Sequence, residues 1–140
     1  MTTIVCNRSG MAADRRISDM PMFQAKKLFR VGGSLIGVAG SMDQCLRFVE
    51  WRRNPEVRPT FADSPSFSAL ELTSGGKILW WGSEMMPVEI SEEFYAIGSG
   101  APYALGALSA GKSLKEAVKI AARWNEATGP EVQTMNLRRK

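Results

Sequence analysis

The sequence predicts an α+β fold of antiparallel sheets covered by helices. Two observations carry this. The β-rich runs come in pairs around short Ser-Gly and Gly-Gly turns, as hairpins do. The helical runs come in separate blocks, so that the order is strands, one helix, strands, two helices, strand. A doubly wound βαβ sheet would alternate its elements more regularly. With 140 residues and a hydrophobic fraction of 44%, the chain is expected to form one domain over residues 1–140.

The elements follow in order. "TTIVCNRSGMAAD" reads as a first hairpin, with residues 3–7 as one strand, Ser9-Gly10 as the turn and 11–14 as the return. "KLFRVGGSLIGVAG" reads as a second, with Leu28 to Val31, the turn Gly32-Gly33, and Ser34 to Ala39. The last of these strands is almost wholly apolar, which predicts burial on both faces. "SMDQCLRFVEWRR" starts a helix that Ser41 can cap, with Gln44 as capping-box partner. Met42, Cys45, Leu46 and Val49 supply an apolar stripe at helical spacing. Residues 54–66 hold three prolines and read as a loop. "FSALELTSGGKILWWG" is a third hairpin around Ser74-Gly75-Gly76, and residues 86–97 add one or two strands. "APYALGALSA" is a helix. "SLKEAVKIAARWNEA" is another, capped by Ser113 with Glu116 completing the box and striped by Leu114, Ala117, Val118, Ala121 and Ala122. "EVQTMNL" closes as a strand. Trp80 and Trp81 must face opposite sides of their strand, one toward the core and the other toward a subunit contact or a second buried layer.

Several classes of function are disfavoured. No apolar run approaches the roughly 20 residues of a membrane span. The N-terminus lacks a basic segment followed by an apolar core and a cleavage site, so a cytoplasmic protein is expected. Cys6 and Cys45 have no metal-like spacing and read as reduced core residues. The net charge of +4 comes from scattered basic residues, including "DRR" (14–16), "WRR" (51–53) and "LRRK" (137–140). This reads as a solvated surface, not the coherent basic face of a nucleic-acid binder.

"GALSAGKS", Gly106 to Ser113, matches a phosphate-binding loop letter for letter. Such a loop needs a strand before it, and here an Ala/Leu helix precedes it. Gly111 reads as a helix stop and Ser113 as the cap of the next helix, which makes the segment a helix–turn–helix corner.

The most informative count is zero: the chain has no histidine. Ser-His-Asp and Cys-His catalysis and histidine metal sites are thereby removed. A hydrolase built from these residues needs another proton acceptor. Among the candidates, the free α-amino group has a reference pKa near the working range, at about 7.7–8.0.

Taken together, "TTIVCNRSGMAAD", "KKLFRVGGSLIGVAGSMDQC" and "AIGSGAPYALGALSAGKSLKEAVKIA" resemble the proteasome β-subunit family, closest to the bacterial HslV-type peptidases. The resemblance runs from Thr2 to about Leu137. It implies a four-layer αββα sandwich, here shortened, and an N-terminal nucleophile (Ntn) hydrolase. Removal of Met1 would expose Thr2, whose hydroxyl becomes the nucleophile and whose own amine becomes the base. Asp14 and Lys27 match the family's Asp and Lys, with Lys26 as an alternative for the latter. Gly40 matches the backbone oxyanion donor. Ser99 matches the serine beside the N-terminal threonine, and Val38 the lining of the pocket for the residue before the cut. The resemblance implies protein or peptide substrates, a homo-oligomeric ring, an ATP-driven unfoldase partner, and no cofactor or metal.

The chain also departs from the pattern. Where the family often carries Asp-x-x-Ser-Gly after its last long helix, this chain has Asn125, Thr128 and Gly129. Asn125 can hydrogen-bond but brings no charge. The region after the first helix and the stretch from Asp14 to Lys27 are both compressed. These departures favour a second reading, an inactive assembly or interaction module of the same fold. A third is an amidase for small molecules.

Overall fold

A computed structural model describes residues 2–17, 21–56, 59 and 67–137. The first hairpin pairs β1 (Ile4–Asn7) with β2 (Gly10–Asp14). Asn7 Oδ1 closes its turn by accepting from the amides of Ser9 at 2.8 Å and Gly10 at 3.0 Å. A short ribbon follows, β3 (Arg16–Ile17) against β4 (Phe23–Gln24). The second hairpin is β5 (Leu28–Val31) and β6 (Ser34–Ala39), with the predicted bounds. After α1 (Met42–Arg53) come β7 (Ser68–Leu72) and β8 (Ile78–Gly82), the third hairpin. The segment 86–97 gives two strands, β9 (Pro87–Ile90) and β10 (Phe94–Ile97). Then come α2 (Ala101–Ser109), α3 (Leu114–Trp124) and β11 (Val132–Asn136).

The strands form two main antiparallel sheets. One runs β10-β1-β2-β11, the other β5-β6-β7-β8-β9. Period-2 alternation sends each strand's side chains to two different cores. Ile4, Cys6, Met11 and Ala13 meet Leu28, Leu35, Leu70 and Ile78 between the sheets. Val5 and Ala12 point outward onto Ala104, Ala117, Val118 and Ala121 of α2 and α3. Ile36, Val38 and Ala69 pack on Cys45, Phe48 and Val49 of α1. The layers are therefore α1, sheet, sheet, α2–α3: the αββα sandwich, with a single helix in one outer layer among the described residues.

Two local expectations are revised, and the Trp80–Trp81 alternative is decided. Ser41 stands at the N-cap of α1 but its side chain makes no cap hydrogen bond. The predicted capping box is absent, and Gln44 Oε1 is buried without a partner. The buried face of α1 centres on Cys45, Phe48 and Val49, which puts Leu46 about 100° away in solvent, 47% exposed. Trp80 packs on the core between the sheets and Trp81 on the core beneath α1, so the "LWWG" strand lies between two layers. Most of the proline-rich loop 54–66 falls outside the described residues, as do Met1 and residues 138–140.

The helix–turn–helix corner is as expected. α2 runs through Gly106. It then ends with Gly111 N donating to Leu108 O at 3.0 Å and Lys112 N to Ala107 O at 3.1 Å, with Gly111 at φ +90°. This Schellman ending leads straight into the Ser113–Glu116 capping box of α3, in which both reciprocal bonds form. The segment is a helix end, not a phosphate cradle. Cys6 and Cys45 are buried and form no disulfide. No helix among the described residues is long and apolar enough to cross a membrane.

Candidate active site

Thr2, Asp14 and Lys27 meet at the end of the sandwich where β1 begins, β2 ends and β5 begins. Thr2 lies two residues before β1 and is 6% exposed. Asp14, the last residue of β2, and Lys27, just before β5, are fully buried. Lys27 Nζ donates to Thr2 Oγ1 at 2.9 Å and to Asp14 Oδ1 at 3.0 Å. The structure therefore gives this contact to Lys27, the primary candidate, and not to Lys26.

A buried carboxylate has to be paired or hydrogen-bonded throughout. Asp14 is both. Besides Lys27, its Oδ1 accepts from Thr3 N at 2.9 Å, and its Oδ2 from Gly129 N at 2.9 Å and Arg16 N at 3.2 Å. These donors come from the residue just before β1, the β3 ribbon and the α3–β11 loop, so the carboxylate ties three segments together. Burial pulls the Lys27 ammonium below the ordinary lysine value, while the Asp14 charge and hydrogen bond hold it up.

A second chain of hydroxyls runs behind Thr2. Thr3 Oγ1 lies 2.7 Å from Thr128 Oγ1, and Thr128 Oγ1 donates to Asn125 Oδ1 at 2.8 Å. Ser99 Oγ donates to the same Asn125 oxygen at 3.1 Å, and Asn125 Nδ2 returns a bond to Ser99 O at 3.3 Å. Since Thr128 spends its proton on Asn125, Thr3 is the donor to Thr128. Thus Ser99, Asn125 and Thr128 form one network, which ends on Thr3, the residue that follows Thr2.

Gly40 follows β6 at φ +116° and turns the chain into α1. Val38 is placed differently. Its side chain is fully buried in the core between sheet and α1, so it presents no surface to a cleft. The reason is strand alternation: Val38 shares its face with Ile36, the side that α1 covers.

Several contributors were not singled out from the sequence. In the sequence Thr3 shows only as the start of the first strand. Gly98, at φ +98°, passes so close to Thr2 that a Cβ there would run into the Thr2 carbonyl. Gly100 donates its amide to Thr2 O at 3.4 Å, and a Cβ on it would strike the Thr3 hydroxyl. Both glycines of "GSG" are therefore dictated by the N-terminal threonines. The signal was present as a repeated glycine after an apolar strand, a mark of close backbone approach.

No family model matches the chain, and no curated protein matches it by sequence. Solved structures do match. BPH from Thiobacillus denitrificans is similar at 21% identity over 99% of both chains, with a TM-score of 0.71. The same protein in complex with epoxomicin matches at a TM-score of 0.70. The eukaryotic HslV from Trypanosoma brucei is 19% identical over 96% of this chain and 98% of its own, with a TM-score of 0.69. At these identities the likeness establishes the fold: an αββα sandwich of the HslV type along essentially its whole length.

Proposed function

We propose that this chain, which has the fold of HslV-type proteasome-like proteins, is an N-terminal threonine peptidase. The observation that carries the reading is the Lys27 ammonium bonded at once to Thr2 Oγ1 and Asp14 Oδ1, in a chain without histidine. The chemistry follows from these groups once Met1 is removed. The α-amino group of Thr2 takes the proton from Thr2 Oγ1, directly or through a water, as Oγ1 attacks the peptide carbonyl. Lys27 stabilises the developing alkoxide, and the Gly40 amide serves the carbonyl oxygen as it becomes an oxyanion. Collapse breaks the C–N bond, the Thr2 ammonium protonates the departing amine, and an ester to Thr2 remains. Water, deprotonated by the same amine, hydrolyses that ester.

The likeness to HslV-type structures favours a homo-oligomeric ring around these sites; protein or peptide substrates and an ATP-driven unfoldase to deliver them belong to the same proposal. The test begins with the intact mass and N-terminal residue of the protein purified from cells. We expect Thr2 as the first residue, peptide hydrolysis, and inhibition by epoxomicin, which the BPH protein of T. denitrificans binds. Retention of Met1 in cells with working methionine removal would leave the nucleophile without its base. It would shift the reading to a non-enzymatic assembly module, which the uncharged Asn125 favours.

Asn125 also gives a pH prediction. A carboxylate at this position would favour the ammonium form of the Thr2 amine, so the free base would appear at higher pH. Asn125→Asp should move the acidic limb of kcat/KM upward by on the order of one pH unit. Profiles of the two proteins on one peptide check this. An unmoved limb would mean that the side chain does not act on the amine.

A further inference from the structure

Where the two sheets meet beside the site, one side chain joins their edges. β11 is an edge of the four-stranded sheet, and β5 is an edge of the five-stranded one. Gln133 of β11 spans the gap. Its Oε1 accepts from Lys27 N at 3.0 Å and Leu28 N at 3.2 Å, and its Nε2 donates to Leu28 O at 3.0 Å. A carboxamide carries acceptor and donor in one plane, so the group stands in for a neighbouring strand along an edge that has none. On its own strand Gln133 is registered against Ala13, and its neighbour Val132 against Asp14. From the opposite side, Val38 N donates to Lys27 O at 3.1 Å. The Lys27 backbone is thus fixed on one side by its own sheet and on the other by the strand that pairs with Asp14.

We propose that Gln133 is a positioning residue, which sets where the Lys27 ammonium stands relative to Thr2 and Asp14. Its catalytic consequence rests on the threonine-peptidase reading; its structural consequence does not. Gln133 is only half-buried, so it is not required to fill the core. A neutral amide also holds the lysine without adding a charge that would compete with Asp14. Small displacements matter here, because a misplacement of about 1 Å at a reacting centre costs on the order of 10²-fold in rate.

The test uses Gln133→Met, which keeps the length of the side chain and removes all three bonds. Gln133→Asn keeps the amide but is one methylene short. Thr134→Ala, at the exposed next position, is the control. Two quantities are read: steady-state hydrolysis of a peptide, and the titration of Lys27 followed by carbon NMR at Cε. Gln133→Met should lower kcat by about 10²-fold while KM stays within about 2-fold, the signature of lost transition-state stabilisation. It should also displace the Lys27 titration, and Thr134→Ala should change neither. If Gln133→Met does not fold, Gln133→Asn is read the same way, with a smaller loss in the same direction. A folded variant whose Lys27 titration is unmoved overturns the proposal. Because the titration needs no turnover, a wild-type protein without peptidase activity sinks the functional reading while the NMR result still decides this one.

Discussion

Thr2→Ala is expected to abolish peptide hydrolysis, by about 10⁴-fold or more, while the protein stays folded. The loss is large because one residue supplies both reacting groups. The hydroxyl is removed and the amine remains as a base with nothing to activate. The fold should survive because the hydroxyl carries little of the structure. Lys27 keeps its partner Asp14, and the Thr2 carbonyl keeps its contact with Gly100. One lost hydrogen bond costs about 1 kcal/mol. The decisive measurement pairs hydrolysis with circular dichroism and thermal melting on the same preparation. Wild-type activity in the folded Thr2→Ala protein would exclude Thr2 as the nucleophile.

Lys27→Met should lower kcat by about 10³-fold, as loss of a preorganised positive group beside a developing alkoxide does. It also alters the pH profile. The wild-type rate should fall on the alkaline side as Lys27 loses its proton. Burial holds that group below its ordinary value of 10.5, so the fall comes earlier than for an exposed lysine. The variant should lack this limb. Stability changes with a definite sign. Between the lowered folded value and the unfolded one, the unfolded chain binds more protons, so wild-type stability rises with pH through that window. Lys27→Met should flatten the rise. Breaking a buried pair costs about 3–5 kcal/mol. Here the cost should be smaller, because Asp14 keeps the amides of Thr3, Arg16 and Gly129. Denaturant melts at several pH values measure it, and an unchanged alkaline limb would place the titrating group elsewhere.

Much of the fold was legible because hairpin chemistry is local. The turns at Gly32-Gly33 and Ser74–Gly76 and the Schellman ending at Gly111 follow from residues that tolerate those conformations. The meeting of Thr2, Asp14 and Lys27 was legible only through resemblance, since nothing in spacing alone brings residues 2, 14 and 27 together. The failures have physical causes. Ser41 holds the N-cap position of α1 without a side-chain bond, and Gln44 Oε1 is buried without a partner, so the local capping pattern did not form. Val38 shares with Ile36 the face of β6 that α1 covers, a feature the strand's pattern alone does not reveal. Gln133 was not legible because its bonds to Lys27 and Leu28 join two sheet edges that only the folded chain brings side by side.

The four donors on Asp14 also bear on when the site comes into being. The amide of Gly129 lies 115 positions from the carboxylate it binds, and the Thr3–Thr128 contact spans 125. Lys27 is held by a residue of the last strand. Contacts this distant in sequence form late, after the closure of long loops. During synthesis the first residues leave the ribosome long before Gly129 and Gln133 exist. On the threonine-peptidase reading, a nascent chain carries Thr2 before the residues that frame it exist, so that the site can be completed only after Gly129 and Gln133 have been added.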